Sequence, residues 1–239
     1  MKIAMRVGIV AVAILAVGGI SYYGFLGGLD KAEAAVKVGQ QMPPFTMKDY
    51  TGTEHSLEDF KGKVVVIQFS SQKCPYSEGA DPQISAFFEK HQEDGVVVLG
   101  IDSHNATTPE QIAEYAQENE LAHPILKDEG SVYAALVGAE RTPEVFVLDK
   151  EGKVVYHGAW DSRRGTDYDA DATMYTAEAV TAALAGETPE TEQTKAWGCT
   201  IKWSDGAKEK AAEMKEAMMK EAGSEAKEEA PAAGGSGSY

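Results

Sequence analysis

The sequence predicts an α/β fold, a central sheet covered on both faces by helices. Three observations lead there. Val64-Val65-Val66-Ile67-Gln68-Phe69 and Val96-Val97-Val98-Leu99-Gly100-Ile101 are apolar, β-branched runs of strand length, the pattern of buried strands. Segments with helical periodicity and helix-start signals alternate with them. A strand–turn–strand pattern over 142–157 closes the series.

The elements follow in order. Val64–Phe69 is the first core strand, and Cys74-Pro75 stands at the turn that follows it, with Pro at the first helical position. Asp81 to Gln92 reads as an amphipathic helix with Ile84, Phe87 and Phe88 inward. After the Val96–Ile101 strand, Thr107-Thr108-Pro109-Glu110 opens a helix that runs to about Asn119. His123-Pro124-Ile125-Leu126 is short and extended, and Gly130 to Val137 is a short helix. Val145-Phe146-Val147-Leu148-Asp149, the turn Lys150-Glu151-Gly152-Lys153 and Val154-Val155-Tyr156 make a hairpin entered through Thr142-Pro143. Ala177 to Ala185 is the last helix of the domain. No internal repeat and no second domain is visible.

Cys74 is the leading candidate for chemistry. A thiol at a helix N-terminus faces unpaired N–H groups and the positive end of the helix dipole, and both favour the reactive thiolate. A buried, inert cysteine is the competing reading. In Ser71-Gln72-Lys73-Cys74-Pro75-Tyr76-Ser77, Lys73 adds a positive charge, and Ser77 offers either a hydrogen bond to the thiolate or plain polar packing. The five histidines lack metal-ligand spacing, and there is no phosphate loop, nucleophile elbow or haem-attachment motif, so neither a metal nor a cofactor is expected. Glu54, Glu78 and Asp81 read as solvated surface acids.

Cys-Pro after the first core strand, then Thr-Pro before a Val-Phe-Val-Leu-Asp strand, resembles the thioredoxin-like superfamily. Within it the chain resembles the redoxin branch of alkyl hydroperoxide reductase and thiol-specific antioxidant proteins. Gly39-Gln40-Gln41-Met42-Pro43-Pro44-Phe45, Asp49-Tyr50-Thr51-Gly52 and Ser56-Leu57-Glu58-Asp59-Phe60-Lys61-Gly62-Lys63 match that branch, and the resemblance spans about Val38 to Leu184. It implies a thioredoxin-like fold with a central mixed sheet, a cis-Pro143 packed beside Cys74, and a kink at Pro82. It also implies thiol–disulfide chemistry on a peroxide or disulfide substrate, with an external thiol as reductant. The second cysteine of a Cys-x-x-Cys pair is replaced by Ser77. Of the peroxidase signature, Ser71 fits the hydroxyl position, Ile67 stands where a Pro belongs, and Arg141 lies near the Arg region. The segment Trp197-Gly198-Cys199-Thr200-Ile201-Lys202-Trp203 also resembles one that follows the domain in some exported redoxins. Cys199 then either resolves an oxidised Cys74 or packs as a lone thiol. The site expected from all this is Cys74, Cys199, Pro143, Thr142, Ser77 and Ser71. A redox-inactive thioredoxin-like binding module is the reading from a different class.

The ends differ from the body, which spans 36–203. Residues 1–35 carry Lys2 and Arg6 followed by an apolar stretch over 7–29, long enough to span a bilayer with its amino end inside. A retained signal anchor is the expectation, a signal peptide cleaved near Ala32-Glu33-Ala34 the alternative; both export the body. Residues 204–239 read as a low-complexity Ala/Glu/Lys tail: a weak, solvated helix with a Met214/Met218/Met219 stripe, disordered after Gly223. Glu187 to Lys195 reads as a flexible connection. The net charge of −16 falls mostly on the body and excludes the basic patch that a nucleic-acid partner requires.

Overall fold

Strand composition and helix caps together set the architecture seen in the computed structural model, which describes residues 35–167 and 169–228. A hairpin of β1 (Thr46–Lys48) and β2 (Glu54–Ser56) precedes the sheet. The chain then runs through β3 (Val64–Ser70), α1 (Pro75–His91), β4 (Val96–Asp102), α2 (Pro109–Glu118), β5 (Ile125–Lys127) and α3 (Val132–Val137). It continues through β6 (Arg141–Thr142), β7 (Glu144–Leu148), β8 (Val154–Gly158), α4 (Tyr175–Ala185), β9 (Cys199–Thr200) and α5 (Ala207–Glu228). The central sheet has the order β5-β4-β3-β7-β8. The β3–β4 and β4–β5 pairs are parallel, and the β3–β7 and β7–β8 pairs antiparallel. This is the mixed sheet of a thioredoxin-like fold.

Period-two alternation sorts the strand residues onto two faces. Val65, Ile67 and Phe69 join Leu99, Ile101, Phe146 and Leu148 under α3. Val64, Val66, Val98, Val145 and Val147 pack against Ile84 of α1 and Ala179, Val180 and Ala183 of α4. Each large apolar side chain buried this way contributes about 1.5–3 kcal/mol. The sheet is thus closed on both faces, and the carboxyl end of its middle strand, β3, delivers Cys74.

Several expectations need correction. The first helix begins at Pro75, not Asp81, and Pro82 lies inside it. Ile84 is fully buried, whereas Phe87 and Phe88 are only partly so. The short helix starts at Val132 because Gly130 and Ser131 both take left-handed φ values. At the carboxyl end, 207–228 form a helix whose beginning is part of the body. Ala207 and Ala211 are buried against the α3 face of the core, and Met218 packs there too, while Met214 is exposed. Small alanines allow that close approach, a packing signal that a search for large apolar residues passes over. Residues 229–239 and the apolar stretch at 7–29 lie outside the described residues. Among the described residues no helix is long and apolar enough to cross a membrane.

Candidate active site

Cys74 is the N-cap of α1, and its backbone N–H donates to Ser71 O at 2.9 Å, closing the tight turn after β3. Ser71 shapes that turn further: its Oγ accepts from Lys73 N at 3.2 Å, and its own N–H donates to Ser77 Oγ at 3.3 Å. Ser77 is therefore an acceptor that locks the loop, and its backbone N–H, rather than its hydroxyl, faces the cysteine sulfur. Lys73 reaches to Ala106 O at 2.9 Å instead of standing over the thiol.

Thr142 and Pro143 approach from the other side, joined by a cis peptide bond as the resemblance implied. The Cys74 thiol donates to Thr142 O at 2.9 Å. Thr142 is also the register partner of Cys199 in the antiparallel β6–β9 pair. Segments 141–142 and 199–200 thus place the two cysteines on the same short stretch of backbone. Gly198 makes this possible. Its φ is +144°, and a Cβ there would stand 1.9 Å from Thr142 O.

The two thiols have opposite character. Burial pushes the Cys74 thiol up, since only 1 % of its surface is exposed. That effect is outweighed by hydrogen bonds to the sulfur from the Cys199 thiol, the Thr142 hydroxyl and the backbone N–H groups of Cys199 and Ser77, and the net shift is downward. Cys199 is pushed up to about 11, by burial first and then by donating to Cys74 and feeling its charge. Both cysteines are free. Of the two sulfurs, Cys74 therefore has the better stabilised thiolate, and the Cys199 thiol is a hydrogen-bond donor toward it.

The segment leading to Cys199 is not the loose connection its composition suggests. His157 N donates to Glu192 O at 3.0 Å and Thr194 N to His157 O at 3.1 Å, so 192–194 run along the free edge of β8. Thr194 Oγ1 bonds Tyr156 OH at 2.6 Å and accepts from Ala159 N at 2.9 Å. Beyond Cys199, Ile201 N donates to Glu140 O at 2.9 Å. A shallow cleft lined by Tyr76, Pro143, Trp160, Arg163 and Trp197 opens beside this strap. Trp197 is half-exposed, with Arg164 4.5 Å above its ring.

Asp81 is the main correction among the acids. It is buried, not solvated, two turns into α1. Gln68 Nε2 and Tyr115 OH each donate to it at 2.8 Å, with Ser70 Oγ a longer third donor. Burial raises its carboxyl to about 6 in spite of these donors. Arg141, placed near the peroxidase Arg region, turns to Thr200 Oγ1 at 2.9 Å on the exposed side. Among the described residues no cluster of His, Cys, Asp or Glu is arranged to hold a metal ion.

Comparison with known proteins agrees with this geometry. Residues 38–157 match the model of the AhpC/TSA family. The chain is 29% identical over 154 residues to thiol-disulfide oxidoreductase ResA of Bacillus thuringiensis subsp. konkukian, covering 64% of this chain and 86% of the relative. It is 34% identical over 147 residues to the chloroplastic peroxiredoxin Q of Sedum lineare, covering 56% and 76% respectively. Among solved structures, a hypothetical protein from Sinorhizobium meliloti 1021 superposes with a TM-score of 0.66 at 28% identity, over 72% of this chain and 97% of that one.

Proposed function

Because the chain belongs to the AhpC/TSA family and is a thiol-dependent oxidoreductase, we propose that it works as a thiol–disulfide oxidoreductase cycling between a Cys74/Cys199 dithiol and a Cys74–Cys199 disulfide. The observation that carries this reading is the register of Thr142 with Cys199 while Thr142 O holds the Cys74 thiol. In the reductive direction the Cys74 thiolate attacks a substrate disulfide, forming a mixed disulfide and releasing one substrate thiol. Cys199 then gives up its proton, attacks the Cys74 sulfur and releases the second substrate thiol. An external thiol restores the pair. Ser71 and Ser77 shape the turn, the cis bond at Pro143 sets the bend beside Thr142, and Thr142 and the Ser77 backbone N–H present hydrogen bonds to the sulfur. Cys199 replaces the missing second cysteine of the loop, which removes the chief support for a redox-inactive module.

Peroxide reduction is the second reading, favoured by the relation to a peroxiredoxin Q and by a resolving cysteine outside the active loop. Against it stand Ile67 in place of a Pro and an Arg141 turned toward Thr200. The test compares initial rates of the reduced protein on a disulfide-bonded protein and on hydrogen peroxide, with Cys74→Ser as control. Faster disulfide reduction is the expected result. Faster peroxide reduction moves the assignment to a peroxidase. Rates equal to the Cys74→Ser background on both substrates sink the enzyme reading.

The same reading places the body outside the cytoplasm, tethered by residues 7–29; the Lys2/Arg6 flank and the length of the apolar stretch support this. Release of full-length or cleaved protein by carbonate extraction would replace the tether with a secretory signal.

A further inference from the structure

Glu144 is the exception in β7. The rest of that strand, Val145-Phe146-Val147-Leu148, is apolar and fully buried, and Glu144 pairs with Phe69 in the same ladder. A buried carboxylate is costly unless it is fully hydrogen-bonded. Here it is, and its partners are informative. Oε2 accepts from Glu140 N at 2.8 Å and from Arg141 N at 2.7 Å, the two residues immediately before Thr142. Oε1 bonds His157 Nε2 at 2.7 Å, and the His157 ring stacks on Phe146 at 4.0 Å.

Those partners are the two anchor points of the strap that carries Cys199. Glu140, clamped through its N–H, uses its carbonyl to receive Ile201 N just beyond Cys199. His157, clamped through its ring, uses its backbone to hold Glu192 and Thr194 just before it. Between the two lies Thr142, whose carbonyl receives the Cys74 thiol. One carboxylate therefore ties together the loop that contacts Cys74 and both ends of the segment that delivers Cys199.

We propose that Glu144 is a positioning residue for the thiol pair: its carboxylate, clasping Glu140 N, Arg141 N and His157 Nε2, fixes the distance and orientation at which Cys199 meets Cys74. The proposal rests on the reading of these two cysteines as the redox pair. Glutamine is the sharpest probe. It preserves the shape, but the bonds from Glu140 N and Arg141 N lose their charge assistance, and the contact with His157 Nε2 persists only if the ring takes the tautomer that accepts from the new amide.

The readout is the equilibrium of the full-length protein with glutathione. One glutathione disulfide is reduced to two glutathione thiols while the Cys74 and Cys199 thiols lose their protons and form one S–S bond. Glu144→Gln is expected to lower the effective concentration of the pair by about tenfold or more, the size of one lost charge-assisted hydrogen bond. Measured well below each protein's melting temperature, this separates positioning from stability. A variant that melts earlier but forms the disulfide as readily as wild type overturns the proposal. If Glu144→Gln does not accumulate as folded protein, His157→Gln carries the test, with a smaller loss expected and no loss overturning it. Wild type that forms no Cys74–Cys199 disulfide at any glutathione ratio overturns instead the redox-pair reading.

Discussion

The two cysteines reach Thr142 by different structural routes, Cys74 through its thiol and Cys199 through strand register. Cys74 sits on regular structure: a seven-residue buried strand leads in, a helix with Pro at its first position leads out, and the turn is closed by Ser71 and Ser77. Cys199 sits on a strap with two residues of strand, pinned at either end by backbone bonds to His157 and Glu140. The local turn of the first environment is set by residues adjacent in sequence: Pro75 at the first helical position, with Ser71 and Ser77 closing the turn. The second exists only because several distant elements converge on it. Their thiols differ accordingly: one is lowered by hydrogen bonds that outweigh its burial, the other raised to about 11 by burial and then by donating a hydrogen bond to the first. Reactivity here is a property of the pair of environments, and it can be taken apart one side at a time.

The largest effect is expected on the regular side. Cys74→Ser removes the nucleophile and should reduce disulfide turnover to the uncatalysed rate. Folding should be nearly unaffected, because the turn is held by Ser71, Ser77 and backbone bonds rather than by the sulfur. A melting temperature that drops sharply while turnover persists would make Cys74 a packing residue.

Next in size is a change that spares both thiols and evicts the strap. In Gly198→Ala the new methyl would meet Thr142 O at 1.9 Å on a backbone with φ of +144°, so Cys199 must leave its register. The strain avoided by leaving is about 1–3 kcal/mol. Cys74, now uncovered, should be alkylated faster than in wild type, while intramolecular disulfide formation falls. The rates are compared at a pH where both Cys74 thiols are ionised, because leaving also removes the Cys199 hydrogen bonds that lower Cys74; slower alkylation there would mean that the strap does not cover the thiol.

Cys199→Ala is the milder version. It removes one donor to the Cys74 sulfur, so the pH midpoint for Cys74 alkylation should move up relative to wild type. The sign follows from the cause, since a hydrogen bond to the thiolate lowers a thiol's pKa and its loss raises it. Peroxide treatment should then leave Cys74 as sulfenic or sulfinic acid, as no second thiol condenses with it. An unchanged midpoint would contradict the hydrogen bond between the sulfurs.

The smallest effect concerns the helix under Cys74. Burial raises the Asp81 carboxyl to about 6 from an ordinary 3.8, so its charged form is disfavoured in the folded protein. The stability associated with it is present below the unfolded value and is lost as pH rises through about 6. Asp81→Asn should flatten this part of the stability curve, gaining on the order of 2 kcal/mol at pH 8 relative to acid. Urea unfolding at two pH values checks it; parallel curves for wild type and variant would show that Asp81 is not ionised at a cost.

The same contrast explains what was legible in the sequence. Val64–Phe69, Val96–Ile101 and the hairpin read over 142–157 announce themselves through β-branched composition and turn residues, and Thr108 before Pro109 marks a helix start. Cys74 was placed correctly because its neighbours in sequence are its neighbours in space. Asp81 was misread since its burial comes from Gln68 and Ser70 on a strand and Tyr115 on another helix, none near it in sequence. Glu187 to Lys195 is a loop, as its polar residues suggest, but the reading missed that its end is pinned: Thr194 is held by Tyr156 and Ala159. Gly158 and Gly198 were the available signals. A Cβ at either would collide, with Thr194 in the first case and Thr142 in the second, which marks close backbone approach.

The central claim, that Cys74 and Cys199 form one redox pair, is tested most directly by peptide mapping of the full-length protein after exposure to one equivalent of glutathione disulfide. The account predicts a protein that has lost two hydrogens, with the Cys74 and Cys199 peptides linked and no glutathione retained. Glutathione held on Cys74 with Cys199 still a free thiol would contradict it.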